Sequence, residues 1–164
     1  MYQIGDYIVK PVKGVCEIED IVTPDFVDDK KMYYQLAPLS EQHTKVYVPV
    51  DKADANIRSV MTQTEAEALI RKIPDIDEAW IFNEKERERN YKEAIQSNDP
   101  VRIVGIIKLI YQRKRMRQKQ GKRTTAVDGK YFDMAEKLLY SELEVSMKCG
   151  KNEIDEQIRK YCTE

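Results

Sequence analysis

The spacing of the apolar residues changes near Asp51, and this change divides the chain into two kinds of structure. Before it, short apolar runs are bounded by Gly, Pro and Asp, a pattern typical of antiparallel strands joined by turns. After it, apolar residues recur at intervals of three and four, which is typical of amphipathic helices. The sequence therefore predicts an α+β fold, in which a small antiparallel barrel or strongly bent sheet precedes a helical domain of about five helices.

Four short strands are predicted in residues 1–58. Pro24 and the acidic stretch 25–29 mark the turn between the second and the third of them. Because a unit of this size has a limited core, we expect it either to expose a strand edge or to pack on its neighbour. The apolar runs that predict the strands lie at residues 2–9, 15–22, 32–36 and 45–50.

Three helix starts can be recognised from capping patterns. Thr62 and Glu65 form a capping-box pattern, and Asp99 before Pro100 is a second N-terminal signal. Thr125 is a third such signal and is predicted to cap the fourth helix. With a helix near residues 84–97 and a short one at the end, the predicted domains are a β domain (1–58), a helix and linker (59–83) and a helical domain (84–164).

The helix predicted after Asp99 is apolar in its first half and basic in its second. A run of cations without acidic residues favours contacts with phosphate groups. The alternative interpretation is a helix face that is simply solvated. No acidic residue occurs between Asp99 and Asp128, and the net charge of the whole chain is −1, so positive charge is concentrated here. The cations of this stretch are Arg113, Lys114, Arg115, Arg117, Lys119, Lys122 and Arg123.

Composition argues against several classes of protein. The chain has 164 residues, 35% of them charged, and no apolar run of membrane-spanning length. Its three cysteines are widely separated and lack a CxxC pair, which predicts reduced thiols in a cytoplasmic protein. The single histidine, His43, lies in a polar stretch, and no phosphate-binding glycine loop is present. We therefore expect no enzyme activity, no cofactor and no bound metal.

The order of motifs resembles the CarD family of bacterial transcription regulators, whose N-terminal module also occurs in the transcription-repair coupling factor. Near the N-terminus the resemblance rests on Gly5, Asp6, Ile8, Val9, Pro11, Gly14 and Val15, and then on the strand VYVPV before the first helix. Further on it rests on the segments RNYK (89–92), SNDPVRIVGIIKLIYQR (97–113) and AEKLLYSEL (135–143). Lys13 and Cys16 depart from the residues common in the family.

The resemblance implies a Tudor-like β domain that pairs a strand edge with the β subunit of RNA polymerase. Family members often place basic side chains near the third and fourth strands, whereas Pro24 and Tyr47 stand at the matching places here. That departure affects the ionic part of the contact and not the pairing of strands. The candidate polymerase-binding residues are Tyr33, Tyr34, Lys45, Tyr47 and Pro49.

The resemblance also implies that the helical domain lies on promoter DNA and stabilises the open complex with a tryptophan wedge. The only tryptophan, Trp80, stands eleven residues before Tyr91, farther than in better-known members. The alternative is that Trp80 is buried between the two domains. The candidate DNA-contacting residues are Trp80, the seven cations of residues 113–123, and Arg87, Arg89, Lys108 and Lys130.

Two functional hypotheses follow. The first is a monomeric, cytoplasmic transcription regulator, associated with the nucleoid through polymerase, that contacts promoter DNA with little sequence specificity. The second is a protein-interaction adaptor that does not contact DNA, in which the basic helix is merely solvated or docks on an acidic partner.

Overall fold

The computed structural model describes residues 1–81 and 83–162. The chain divides into two compact units, Met1–Val60 and Met61–Glu164. An antiparallel sheet forms the first unit and helices form the second, which confirms the predicted α+β class.

The first unit is a five-stranded antiparallel sheet with the order β4-β3-β2-β1-β5. β4 and β5 are therefore its two edges. The four predicted strands are present, and a fifth strand of two residues was not predicted. The strands are β1 (Tyr7–Lys10), β2 (Gly14–Val22), β3 (Tyr33–Pro38), β4 (Val46–Pro49) and β5 (Arg58–Ser59); a 3-10 turn (Val50–Lys52) and the short helix α1 (Ala53–Asn56) connect β4 to β5.

Alternation along β3 separates the two faces of the sheet. Tyr34 and Leu36 are buried, whereas Tyr33 and Gln35 are half-buried on the opposite face. This period of two arises because successive side chains of a strand point to opposite sides. The face of Tyr34 and Leu36 packs on residues of α1 and its C-terminal flank and forms the hydrophobic cluster of the unit, while Val9 and Val15 are buried on the other face.

The second unit contains α2 to α6, and the three predicted capping residues begin their helices. Thr62 forms the complete capping box with Glu65, the Asp99 side chain accepts from the Val101 amide at 3.0 Å, and Thr125 accepts from the Asp128 amide at 3.1 Å. The helices are α2 (Gln63–Lys72), α3 (Arg87–Gln96), α4 (Pro100–Lys119), α5 (Ala126–Met147) and α6 (Lys151–Cys162), with 3-10 turns at Ile73–Asp75 and Glu84–Glu86.

Only the first half of α4 packs in the core of the second unit. Ile103, Ile106 and Ile110 are buried in it, and from Tyr111 to the end of the helix nearly every residue is exposed. Full burial of such a side chain stabilises a fold by about 1.5–3 kcal/mol, so these residues fix the direction of the exposed half. Across residues 1–81 and 83–162, none of the helices has both the length and the apolar character that crossing a bilayer requires.

Candidate functional site

The exposed half of α4 ends in a defined turn. Gly121 has a φ of 73°, which glycine adopts without strain, and its amide donates to the Gln118 carbonyl at 3.0 Å. The Lys122 amide donates to the Arg117 carbonyl at 2.8 Å, which completes a Schellman motif. We call residues 113–123 the basic segment, and its last residues are therefore held close to the helix end.

Most cations of the basic segment are free of acidic neighbours. Lys114, Arg115, Lys119, Lys122 and Arg123 are exposed, and in the described part of the chain no carboxylate forms an ion pair with any of them. Cations three and four residues apart on one helix repel each other. A polyanion would relieve this repulsion, and the release of its counterions would favour binding.

Arg113 and Arg117 have structural contacts instead. Arg117 Nε donates to the Arg123 carbonyl at 2.6 Å, which ties the loop to the helix. Arg113 Nε donates to Oδ2 of Asp128 at 2.8 Å, and Asp128 is only 1% exposed. The sequence did not indicate that Asp128 is buried, because a lone acid at a helix start is usually a solvated cap residue.

Asp128 joins three helices through a hydrogen-bonded network. The Tyr91 hydroxyl donates to Oδ1 of Asp128 at 2.8 Å and accepts from the Arg87 guanidinium at 3.1 Å. Arg87 also pairs with Glu84. Burial raises the pKa of Tyr91 to about 12, so the hydroxyl stays protonated and can donate at neutral pH. Arg87 is thus held by internal partners.

Three other candidate cations differ in their surroundings. Lys108 Nζ donates to the carbonyls of Ile73 and Ile76 at 2.9 and 2.6 Å, so it supports the end of α2. Arg89 is exposed but pairs with two glutamates of its own helix, Glu86 and Glu93. Lys130 is exposed, with Nζ 5.4 Å from the centre of the Tyr131 ring.

Trp80 is 84% exposed, so it does not belong to the core of its unit. The segment before it is fixed against α4, because the Ala79 amide donates to the Gly105 carbonyl at 3.0 Å. A Cβ at Gly105 would lie 3.2 Å from the Asp77 carbonyl oxygen, and glycine permits this close approach. Trp80 and the exposed Arg102, which was not among the predicted residues, line one shallow groove.

The first unit offers a free strand edge at β4. The Val50 amide donates to the Met32 carbonyl at 3.0 Å, in the same register as the pairs of β3 and β4. Hydrogen-bonded pairs alternate along an antiparallel ladder, so the backbone groups of Tyr47 and Pro49 point away from β3. Because proline has no N–H, Tyr47 supplies the outward donor of β4.

The candidate polymerase-binding side chains do not share one surface. Tyr34 is 1% exposed, and its hydroxyl accepts from the Tyr2 amide at 3.0 Å, so this side chain belongs to the core. Tyr33, Tyr47 and Pro49 lie on the opposite face, and Lys45 is exposed just before β4. The Tyr33 hydroxyl donates to Asp29 at 2.6 Å, which raises the pKa of Tyr33 and lowers that of Asp29.

Phe26 was missed by the sequence interpretation and lies next to Tyr47. It is 68% exposed, and the two ring centres are 5.0 Å apart in an edge-to-face arrangement. The available signal was an aromatic residue inside an acidic turn, Pro-Asp-Phe-Val-Asp-Asp.

Comparison with known proteins gives two matches. Residues 2–61 match the model of the CarD-like/TRCF RID domain family. The chain is also 28% identical over 146 residues to a Bacillus subtilis (strain 168) protein named "Putative transcription factor YdeB", covering 88% of this chain and 92% of that protein.

These matches support a transcription factor that carries an RNA polymerase-interacting domain, and they point to a regulator rather than an enzyme. The match of the RID model falls on the sheet unit, and the second match extends across the helices. They confirm the resemblance to the CarD family, and the part of this chain that matches the CarD-like/TRCF RID domain family is its N-terminal unit.

Proposed function

We propose that the chain binds the β subunit of RNA polymerase through the β4 edge and promoter DNA through its helical unit. It thereby stabilises the open complex with little sequence specificity. The observation that carries this proposal is the basic segment, which leaves the core of the helical unit and presents five cations that have no acidic partner among the described residues: Lys114, Arg115, Lys119, Lys122 and Arg123.

The β4 edge supports the polymerase part of the proposal. Unpaired backbone groups at a sheet edge can accept a strand from another protein, and such pairing requires few specific side chains. The outward N–H and C=O of Tyr47 and the outward C=O of Pro49 are available for it. This explains how an RID-type unit with Tyr47 instead of a basic residue could still engage polymerase.

The helical unit supports the DNA part. Contacts from lysine and arginine to phosphates position a protein without reporting sequence, so the exposed cations suit binding to many promoters. Trp80 adds a large apolar ring on a segment fixed against α4. An aromatic side chain of this kind can insert at an unstacked base step.

The first test uses two substitutions at Tyr47. Tyr47→Pro removes the outward N–H but no bond of the internal ladder, so we expect the sheet to fold and the affinity for polymerase to fall about tenfold. Binding of the full-length chain to RNA polymerase from the same source, without DNA, is measured by biolayer interferometry.

Tyr47→Ala is the matched control for the strand contact, because it removes the ring and keeps the N–H. If strand pairing contributes to binding, the proline variant will bind more weakly than the alanine variant. Equal affinities for the two variants would argue against pairing at this edge.

The second test concerns Trp80. We expect Trp80→Ala to shorten the lifetime of a competitor-challenged open complex about tenfold, because a side chain that stacks on a base contributes on the order of 1–3 kcal/mol. Binding to polymerase alone should not change. An unaltered lifetime would show that Trp80 does not make the proposed contact. The control is Tyr161→Ala, which removes an exposed aromatic side chain of α6, outside the basic segment.

A further inference from the structure

Phe26 and Tyr47 form an aromatic step beside the free edge of the sheet. The Tyr47 ring lies on the outer face of β4, and Phe26 packs on it from the turn between β2 and β3 while remaining 68% exposed. Single exposed apolar residues are ordinary on protein surfaces. This one differs because its ring packs on the ring of Tyr47, whose own backbone groups are available to a partner strand.

The turn that carries Phe26 is fixed at both ends. Pro24 is buried at one end. At the other end, the carboxylate of Asp29 accepts from the Lys31 amide at 3.1 Å and from the Tyr33 hydroxyl at 2.6 Å. The aromatic step is therefore largely preformed, which reduces the entropy lost when a partner covers it.

The acidic residues of the turn that carries Phe26 disfavour an acidic partner at this residue. Asp25 and Asp28 flank it and are exposed, and no ion pair to either is found in the described part of the chain. The two lysines of the turn do not outnumber its acids, and Lys31 is engaged by Asp51 at 3.5 Å. A partner carboxylate placed here would be repelled by these acidic residues. It would also lose its hydration where it contacts the two aromatic rings.

We infer that the strand which pairs with β4 places an aliphatic or aromatic side chain, and not a carboxylate, against Phe26 and Tyr47. This inference rests on the proposed function, because it concerns the same strand pairing with polymerase. The specificity of the β4 edge for its partner strand would then come from an apolar contact between side chains of the two strands. Aromatic and β-branched residues form such contacts on one face of a sheet. Binding through such a contact depends weakly on salt.

The test measures binding of the full-length chain to RNA polymerase from the same source, without DNA, between 0.05 and 0.3 M salt (about the range in which exposed ion pairs become screened). We expect Phe26→Ala to weaken binding about tenfold with an unchanged salt dependence. Tyr47→Arg, which keeps the outward N–H, should also weaken binding about tenfold. Leu39→Ala, which removes another exposed apolar side chain of the same unit, should have no effect.

Two results would overturn the inference while leaving the proposed function intact. One is tighter binding by Tyr47→Arg, especially at low salt, because a cation would then be meeting a partner carboxylate. The other is full affinity in Phe26→Ala while Tyr47→Pro still weakens binding. Absence of any binding by the unaltered chain would instead overturn the proposed function and this inference with it.

Discussion

Replacing Lys114, Arg115 and Lys119 together by glutamine is expected to weaken binding to duplex promoter DNA about 100-fold at 0.1 M salt. Each phosphate contact contributes about 0.9 to the slope of log K against log salt, so the slope should also decrease by about 2 to 3. Fluorescence anisotropy of a labelled duplex, measured over a series of salt concentrations, gives both quantities.

Replacing these three residues is expected to leave the fold intact. They are exposed, whereas Arg113 bonds the buried Asp128 and Arg117 bonds the Arg123 carbonyl. Substituting Arg113 or Arg117 would lower stability as well as remove a DNA contact, so the two effects could not be separated.

The control removes the same charge elsewhere in the helical unit. Lys72, Lys137 and Lys148 are exposed and lie outside the basic segment, so their triple replacement by glutamine should change the slope little. If both triple variants lose the same affinity, DNA binding follows net charge alone. If neither loses any, the basic segment does not contact DNA and the adaptor hypothesis gains support.

Replacing Asp128 by alanine is expected to lower the free energy of unfolding of the helical unit by about 3 kcal/mol. The carboxylate is almost completely buried and satisfies both Arg113 and Tyr91. Its removal leaves the buried Tyr91 hydroxyl without its acceptor and leaves Arg113 with only Glu84, at 3.9 Å. Such a loss commonly costs more than the original pair contributed.

Urea denaturation followed by far-UV circular dichroism measures this change, because the helices dominate the signal. Asp133→Ala is the control, since this acid of the same helix is exposed and its removal should cost less than about 0.5 kcal/mol. A loss below about 1 kcal/mol in the Asp128 variant would mean that the network stabilises the unit far less than its geometry suggests.

Local signals in the sequence predicted most of the fold. The caps at Thr62, Asp99 and Thr125 act within four residues of themselves, so they can be recognised without knowledge of the tertiary structure. β5 was not predicted, because two residues are too few to show a period. Its position is decided by pairing with β1, about fifty residues away in sequence, as Ile8 with Ser59.

The candidate site was less predictable, because the partner of a long side chain depends on tertiary contacts. Lys108 lies in the same helix as the basic segment, but its ammonium group reaches carbonyls more than thirty residues away in sequence. Tyr33 and Tyr34 are chemically the same, and only the register of β3 decides that the second is buried. Phe26 gains its neighbour, Tyr47, only when β4 pairs with β3.

Pro49 has a further consequence for the behaviour of the protein at high concentration. An exposed edge strand can pair with the same strand of a second molecule, which leads to aggregation. β4 has only four residues, and Pro49 leaves Tyr47 as its one outward N–H, too few for a copy of the chain to add stably. Pairing of this edge with a second copy is therefore disfavoured, and the side-chain contacts proposed at Phe26 and Tyr47 would add to the few backbone hydrogen bonds that a foreign strand can form.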